Sequence, residues 1–158
     1  MSEEEPRFRV FVWGMLPASP EDWGQALRAP SSELEGLLTE DDKAFARKFG
    51  FAEKDYARSR LLHSYGEKRM KERGAKLGRT VEEILAHLGA GYELKAVISE
   101  MMKERWVVRI QTPTQTVNVA IDRGLADDVV DSETIQDLDR LRELLETSLQ
   151  RSEQIGKR

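Results

Sequence analysis

The chain has 158 residues, a formal net charge of −4, 39% hydrophobic and 34% charged residues, which suits one globular domain of roughly 100–200 residues with its own core. It contains no cysteine and two histidines, which excludes disulfides, thiolate metal sites and cysteine nucleophiles and leaves too few imidazoles for a histidine-rich zinc site. No apolar run approaches the roughly 18 residues that span a bilayer. The acidic start Met1-Ser2-Glu3-Glu4-Glu5-Pro6 is unlike a secretory leader, so a soluble, cytoplasmic protein is expected.

In chain order, Phe8 to Trp13 is rich in β-branched and aromatic residues and reads as one strand stopped by Gly14. Ser19 followed by Pro20 marks a helix start, with a capping hydroxyl and a proline at the first helical position. Thr39 ahead of Glu40-Asp41-Asp42 marks a second start, its carboxylates suited to the helix dipole, with an end near Gly50. Residues 51–88 predict one long helix, or two with a break at Gly66 or at Gly74 and Gly78, because each interior glycine costs about 1 kcal/mol relative to alanine. Leu94, Val97, Ile98 and Met101 follow the i, i+3, i+4, i+7 spacing of an amphipathic helix. The same stretch also alternates passably as a strand. The helix-forming continuation Ser99 to Lys103 decides for helix.

Trp106 to Gln111 and Thr116 to Ile121 predict a hairpin with the loop Thr112-Pro113-Thr114-Gln115, in which Val117, Val119 and Ile121 meet Trp106, Val108 and Ile110. A lone hairpin is marginal, so the N-terminal strand is expected to join it as an edge strand. Asp131-Ser132-Glu133 predicts the start of a last helix running to about Gln150, with Ile135, Leu138, Leu141, Leu145 and Leu149 as its apolar stripe. The fold class expected is α+β, a mostly helical single domain with a small antiparallel β-hairpin or three-stranded sheet. Residues 1–37 would form an N-terminal arm, 38–150 the core domain and 151–158 a flexible tail.

Charge is segregated along the chain. Residues 43–79 carry twelve basic and four acidic groups, whereas residues 1–42 carry three and ten. On a continuous helix Lys54, Arg58, Lys68, Arg69, Arg73, Lys76 and Arg79 fall within about 140° of one another, with Tyr65 inside the strip. Such a face could neutralise phosphates while the ring stacks on a base. It could equally be a solvated face, or a clasp onto the acidic flanks. Phe8, Phe11, Trp13 and Trp23 gather in a segment poor in other core signals, the pattern of aromatic anchors for a partner.

Catalytic constellations are thin. Glu83 and His87 stand four apart on a predicted helix, a spacing common to surface contacts. Asp127, Asp128, Asp131 and Glu133 cluster without the glycine and terminal glutamate of a calcium loop. No catalytic residue, metal or cofactor is assigned. The functional expectation is a non-enzymatic binding or accessory subunit that docks to a protein partner or multi-subunit complex through Phe8, Phe11, Trp13 and Trp23. The alternative is nucleic-acid binding by the basic face Lys54–Arg79.

Overall fold

The computed structural model describes residues 7–13, 19–89 and 91–156. The chain divides into two compact units, Met15–Arg69 and Met1–Gly14 with Met70–Arg158. The expected arm, residues 1–37, is shared between them. Residues 14–18, where the first strand was expected to stop, lie outside the described residues.

In the Met15–Arg69 unit, capping chemistry sets the helix starts. Helix α1 (Pro20–Arg28) opens with a reciprocal box in which the Asp22 N–H donates to Ser19 Oγ at 3.2 Å and the Ser19 N–H donates to Asp22 Oδ2 at 3.0 Å. A short helix α2 (Ser31–Glu35) follows. Helix α3 (Glu40–Lys48) repeats the box with Thr39 and Asp42 at 3.1 and 3.0 Å. The early part of α4 (Glu53–Leu88) supplies Ala57 and Leu61, which bury with Ala26 and Leu34 in a small core flanked by Leu37, Leu38, Leu62 and Tyr65.

The other unit is a sheet with helices. Strands β1 (Arg9–Trp13), β2 (Glu93–Glu100), β3 (Arg105–Gln111) and β4 (Thr116–Asp122) lie in that order, β1 parallel to β2 and the others antiparallel. The chain is therefore α+β and largely helical, but its sheet has four mixed strands rather than a hairpin or three strands. β1 does not join the hairpin directly. Residues 93–100, expected as helix, form the strand between them. The reason is a β-bulge: Leu94 pairs with Ile110 and Ala96 with Arg109, leaving Lys95 extra. The bulge returns Leu94 and Val97 to the same face at a spacing of three, which imitates a helical repeat. Met101–Lys103 form only a 3-10 turn.

The hairpin is formed as expected, with Trp106 opposite Ile121, Val108 opposite Val119 and Ile110 opposite Val117. The Thr112 hydroxyl closes its loop, donating to the Gln115 carbonyl at 3.0 Å and accepting from the Gln115 N–H at 3.1 Å. Chain alternation places Val97, Trp106, Val108, Ile110, Val119 and Ile121 on the buried face. Arg9, Phe11, Arg109, Asn118 and Ala120 lie on the other face, exposed.

No break interrupts α4 at its glycines. At Gly78 an added Cβ would overlap the ring of Phe8, and at Gly74 it would overlap Val10 and touch Trp106. The side chains of Phe8, Val10 and Trp106 come too close to α4 for any larger residue, and that packing offsets the helix penalty.

A helix that was not expected follows the hairpin, and the bounds of the last helix differ from expectation. Helix α5 (Arg123–Asp131) begins at the very end of β4, capped by Asp122 Oδ2 accepting from the Gly124 N–H at 3.0 Å, and buries Ala126, Val129 and Val130. The last helix, α6 (Ile135–Gly156), therefore starts after Thr134 rather than at Asp131, with the Asp137 N–H donating to Thr134 Oγ1 at 3.2 Å. It passes the expected end at Gln150, because Ser152 and Glu153 find partners: Gln115 Nε2 donates to the Ser152 carbonyl at 2.8 Å and the Tyr92 hydroxyl donates to Glu153 at 3.0 Å. Among the described residues no helix is long and apolar enough to cross a membrane.

Candidate functional site

The residues of the basic face meet different fates. Within Met15–Arg69, Arg69 is bonded to both oxygens of Asp22, a carboxylate 6% exposed. That guanidinium, before the Ser19 N–H, holds the Asp22 carboxyl below the usual range. Arg58 donates to Asp55 at 3.3 Å, Lys54 lines a cleft and Tyr65 packs half-buried beside the small core. Within the other unit, Arg73 donates to Asp131 at 2.9 Å and to Asp127 at 2.7 Å, and Lys76 pairs with Glu133 at 3.2 Å. Lys68 and Arg79 are exposed. Arg69, Arg73 and Lys76 are thus taken up by carboxylates of each unit's own helices and turns.

The acidic turn at residues 127–133 is the same feature seen from the other side. Asp127, Asp131 and Glu133 hold a guanidinium and an ammonium, and among the described residues no group of carboxylates or imidazoles converges as metal ligands. Glu83 and His87 both lie exposed on α4.

The four aromatics of the expected docking set do not form one patch. Phe8 is core, 3% exposed over Gly78. Phe11, one strand position out of phase, points to the opposite face and is 40% exposed. Trp13 takes the last register position of β1, opposite Glu100, and its side chain lies outside the described residues. Trp23 belongs to α1 in the other unit and is exposed, as is Leu27 one turn on.

A different aromatic group is assembled instead. Phe45 of α3 and Phe49 at its C-cap meet with ring centroids 4.6 Å apart and planes tilted by 44°, Phe45 meets Tyr56 of α4 at 5.8 Å, and Phe51 lies against Tyr56 at 6.5 Å. The three phenylalanines are 46–57% exposed. Lys48 lies 5.7 Å from the Phe49 ring and Arg60 5.7 Å from the Tyr56 ring, with Arg60 also donating to Asp42 at 2.6 Å. The end of α3 explains the geometry. Gly50 adopts φ +74°, its N–H donates to the Arg47 carbonyl at 3.3 Å, and the Phe51 N–H donates to the Ala46 carbonyl at 2.8 Å. This left-handed cap folds Phe51 back beside the helix it has just left. A sequence signal existed: two phenylalanines four apart on a helix whose other residues are mostly charged or alanine.

In the same unit, a cleft of about 280 Å³ has Leu34, Leu38 and Ala57 as its apolar lining and Glu35, Lys43, Glu53 and Lys54 around them. Its charges balance, and Lys43 and Glu53 are already paired with Glu40 and Arg47. No protein-family description matches the chain, and no curated protein or solved structure matches it.

Proposed function

We propose that the protein is a non-enzymatic docking or accessory subunit that binds a protein partner through Phe45, Phe49, Phe51 and Tyr56. The observation that carries this reading is the mutual contact of these four rings while three of them stay about half exposed. Burying a large apolar side chain is worth roughly 1.5–3 kcal/mol, and aromatic and arginine anchors dominate protein interfaces. The cations Lys48 and Arg60 at the ring faces add the polar rim such interfaces have. Trp23 and Leu27 are further exposed apolar side chains of the same unit.

The test is affinity purification of the natively expressed protein with nuclease treatment, beside a Phe49→Ser/Phe51→Ser variant of unchanged melting temperature. A protein retained after nuclease by the wild type and lost by the variant supports the reading. Identical partners from both proteins, or nucleic acid alone, overturn it. Nucleic-acid binding along the α4 strip is the second reading. A polyanion bound there would compete with the carboxylates that already hold Arg69, Arg73 and Lys76.

A further inference from the structure

The sheet face opposite the core is built in rows that run across the strands, with Ala96 and Val107 on it buried and the residues around them exposed or half-buried. One row is Arg9 of β1, Ala96 of β2, Arg109 of β3 and Asn118 of β4, each paired with the next in register. Two residues along the strands, the next row is Phe11, Ile98, Val107 and Ala120. Adjacent strands lie about 4.8 Å apart, so the backbones of Arg9 and Arg109 stand roughly 10 Å apart with only the methyl of Ala96 between them. Both arginines are exposed, and neither has a carboxylate partner among the described residues. Arg109 donates through Nε to Asn118 Oδ1 at 3.2 Å, so its terminal nitrogens remain as donors. Among the described residues three carboxylates share this face: Glu93, opposite Gln111 and paired with Lys95 at 3.1 Å; and, one row beyond the apolar one, Asp122, which accepts from the Gly124 N–H at 3.0 Å, and Glu100, neutralised by Arg105 at 2.8 Å and Lys103 at 3.9 Å.

We propose that this face binds single-stranded nucleic acid, with successive phosphates held by Arg9 and Arg109 and a base laid on Phe11. Two strand residues separate the cationic row from the ring, about 7 Å, a spacing that lets one nucleotide reach both with its phosphate and its flat base. A glutamate or aspartate side chain offers the anion without the ring, which is why a nucleotide fits better than an acidic peptide. Base-paired nucleic acid hides the base face that Phe11 would meet. The asparagine, glutamine and threonine around the row, Asn118, Gln111 and Thr116, supply uncharged donors and acceptors, and the one carboxylate beside them, Glu93 opposite Gln111, is paired with Lys95 at 3.1 Å. The net charge of −4 works against long-range attraction, so binding depends on these short-range contacts and is strongest at low salt.

The test is a fluorescence anisotropy titration of the full chain with a short labelled oligothymidylate at several salt concentrations. Two phosphate contacts give a log–log salt slope of about −1.4, at about −0.7 each. Arg9→Gln or Arg109→Gln brings the slope to about −0.7, and Arg109→Lys restores it. Phe11→Ala weakens binding roughly tenfold or more with the slope unchanged. Lys68→Gln and Arg79→Gln, on the exposed part of the α4 strip, leave affinity and slope as they were. Absence of binding at low salt overturns the proposal, as does a loss of binding that follows Lys68 and Arg79 rather than Arg9 and Arg109. Equal or tighter binding of a labelled polyglutamate peptide overturns it in favour of an acidic protein segment.

Discussion

The ring of Phe8 lies against the backbone of α4 at Gly78, so close that a methyl group there would overlap two of its ring carbons and press on a third. One turn earlier, Val10 makes the same approach at Gly74. Because Phe8 and Val10 alternate with the outward Arg9 and Phe11, this contact sets which face of β1 is core and which is free to meet a ligand.

The contact reverses the usual sign of a glycine substitution. In an exposed helix Gly→Ala stabilises by about 1 kcal/mol. Here Gly78→Ala is expected to destabilise by about 1–3 kcal/mol through overpacking. Phe8→Ala alone costs about 3–5 kcal/mol, and in that background Gly78→Ala becomes neutral or stabilising. Thermal melts of the two single variants and the double variant check this. A Gly78→Ala protein more stable than wild type would show that β1 does not pack there.

Acid sensitivity follows from the clasp on α5. The Arg73 guanidinium holds the Asp131 carboxyl below its ordinary value, the hydrogen bond being the main cause. A folded-state pKa below the unfolded value of about 3.9 contributes stability at higher pH and loses it as pH falls through the folded value. Arg73, with a side chain 26% exposed, faces Asp127 as well. Arg73→Gln is expected to cost about 1–2 kcal/mol at neutral pH. That difference shrinks as pH drops below about 4 and is lost once pH has fallen through the lowered folded-state value and Asp131 is protonated in both proteins. Denaturant midpoints across pH measure it, and a gap that stays constant into acid would contradict the assignment of Asp131. Asp22, lowered chiefly by Arg69, adds an acid limb of the same sign in the other unit.

The aromatic patch depends on one backbone conformation. Gly50→Ala places a Cβ in the left-handed region at φ +74° and is expected to cost about 1 kcal/mol. The space around Gly50 is open, so the cost is conformational rather than steric. Phe51 should then leave Tyr56, which the near-ultraviolet circular dichroism of the tyrosine reads. An unchanged spectrum with unchanged stability would show that the cap does not hold the patch together.

Several features were legible in the sequence because their causes are local. The boxes Ser19–Asp22 and Thr39–Asp42 need only a hydroxyl, a carboxylate and a spacing of three. The hairpin needs two alternating runs and a four-residue loop. Of the aromatic set proposed from the sequence, Phe11 and Trp23 were found exposed, while Phe8 was claimed by the core. Nothing within residues 7–13 distinguishes these outcomes, because the difference is made by Gly74 and Gly78, more than sixty residues away along the chain.

The amino-acid sequence by itself determined where α1 and α3 begin, which residues can pair as a hairpin, and that positive charge gathers in the middle of the chain. Tertiary structure alone decided what those elements face. The bulge at Lys95 makes a strand carry a helical spacing, and only pairing with β3 supports the strand. Asp22, Asp127, Asp131 and Glu133 take up Arg69, Arg73 and Lys76, and the carboxylates come from 47 to 58 residues away for the hydrogen-bonded pairs. A side chain's chemistry is written in its own residue, but whether that chemistry is spent inside the fold or left at the surface depends on partners distant in sequence.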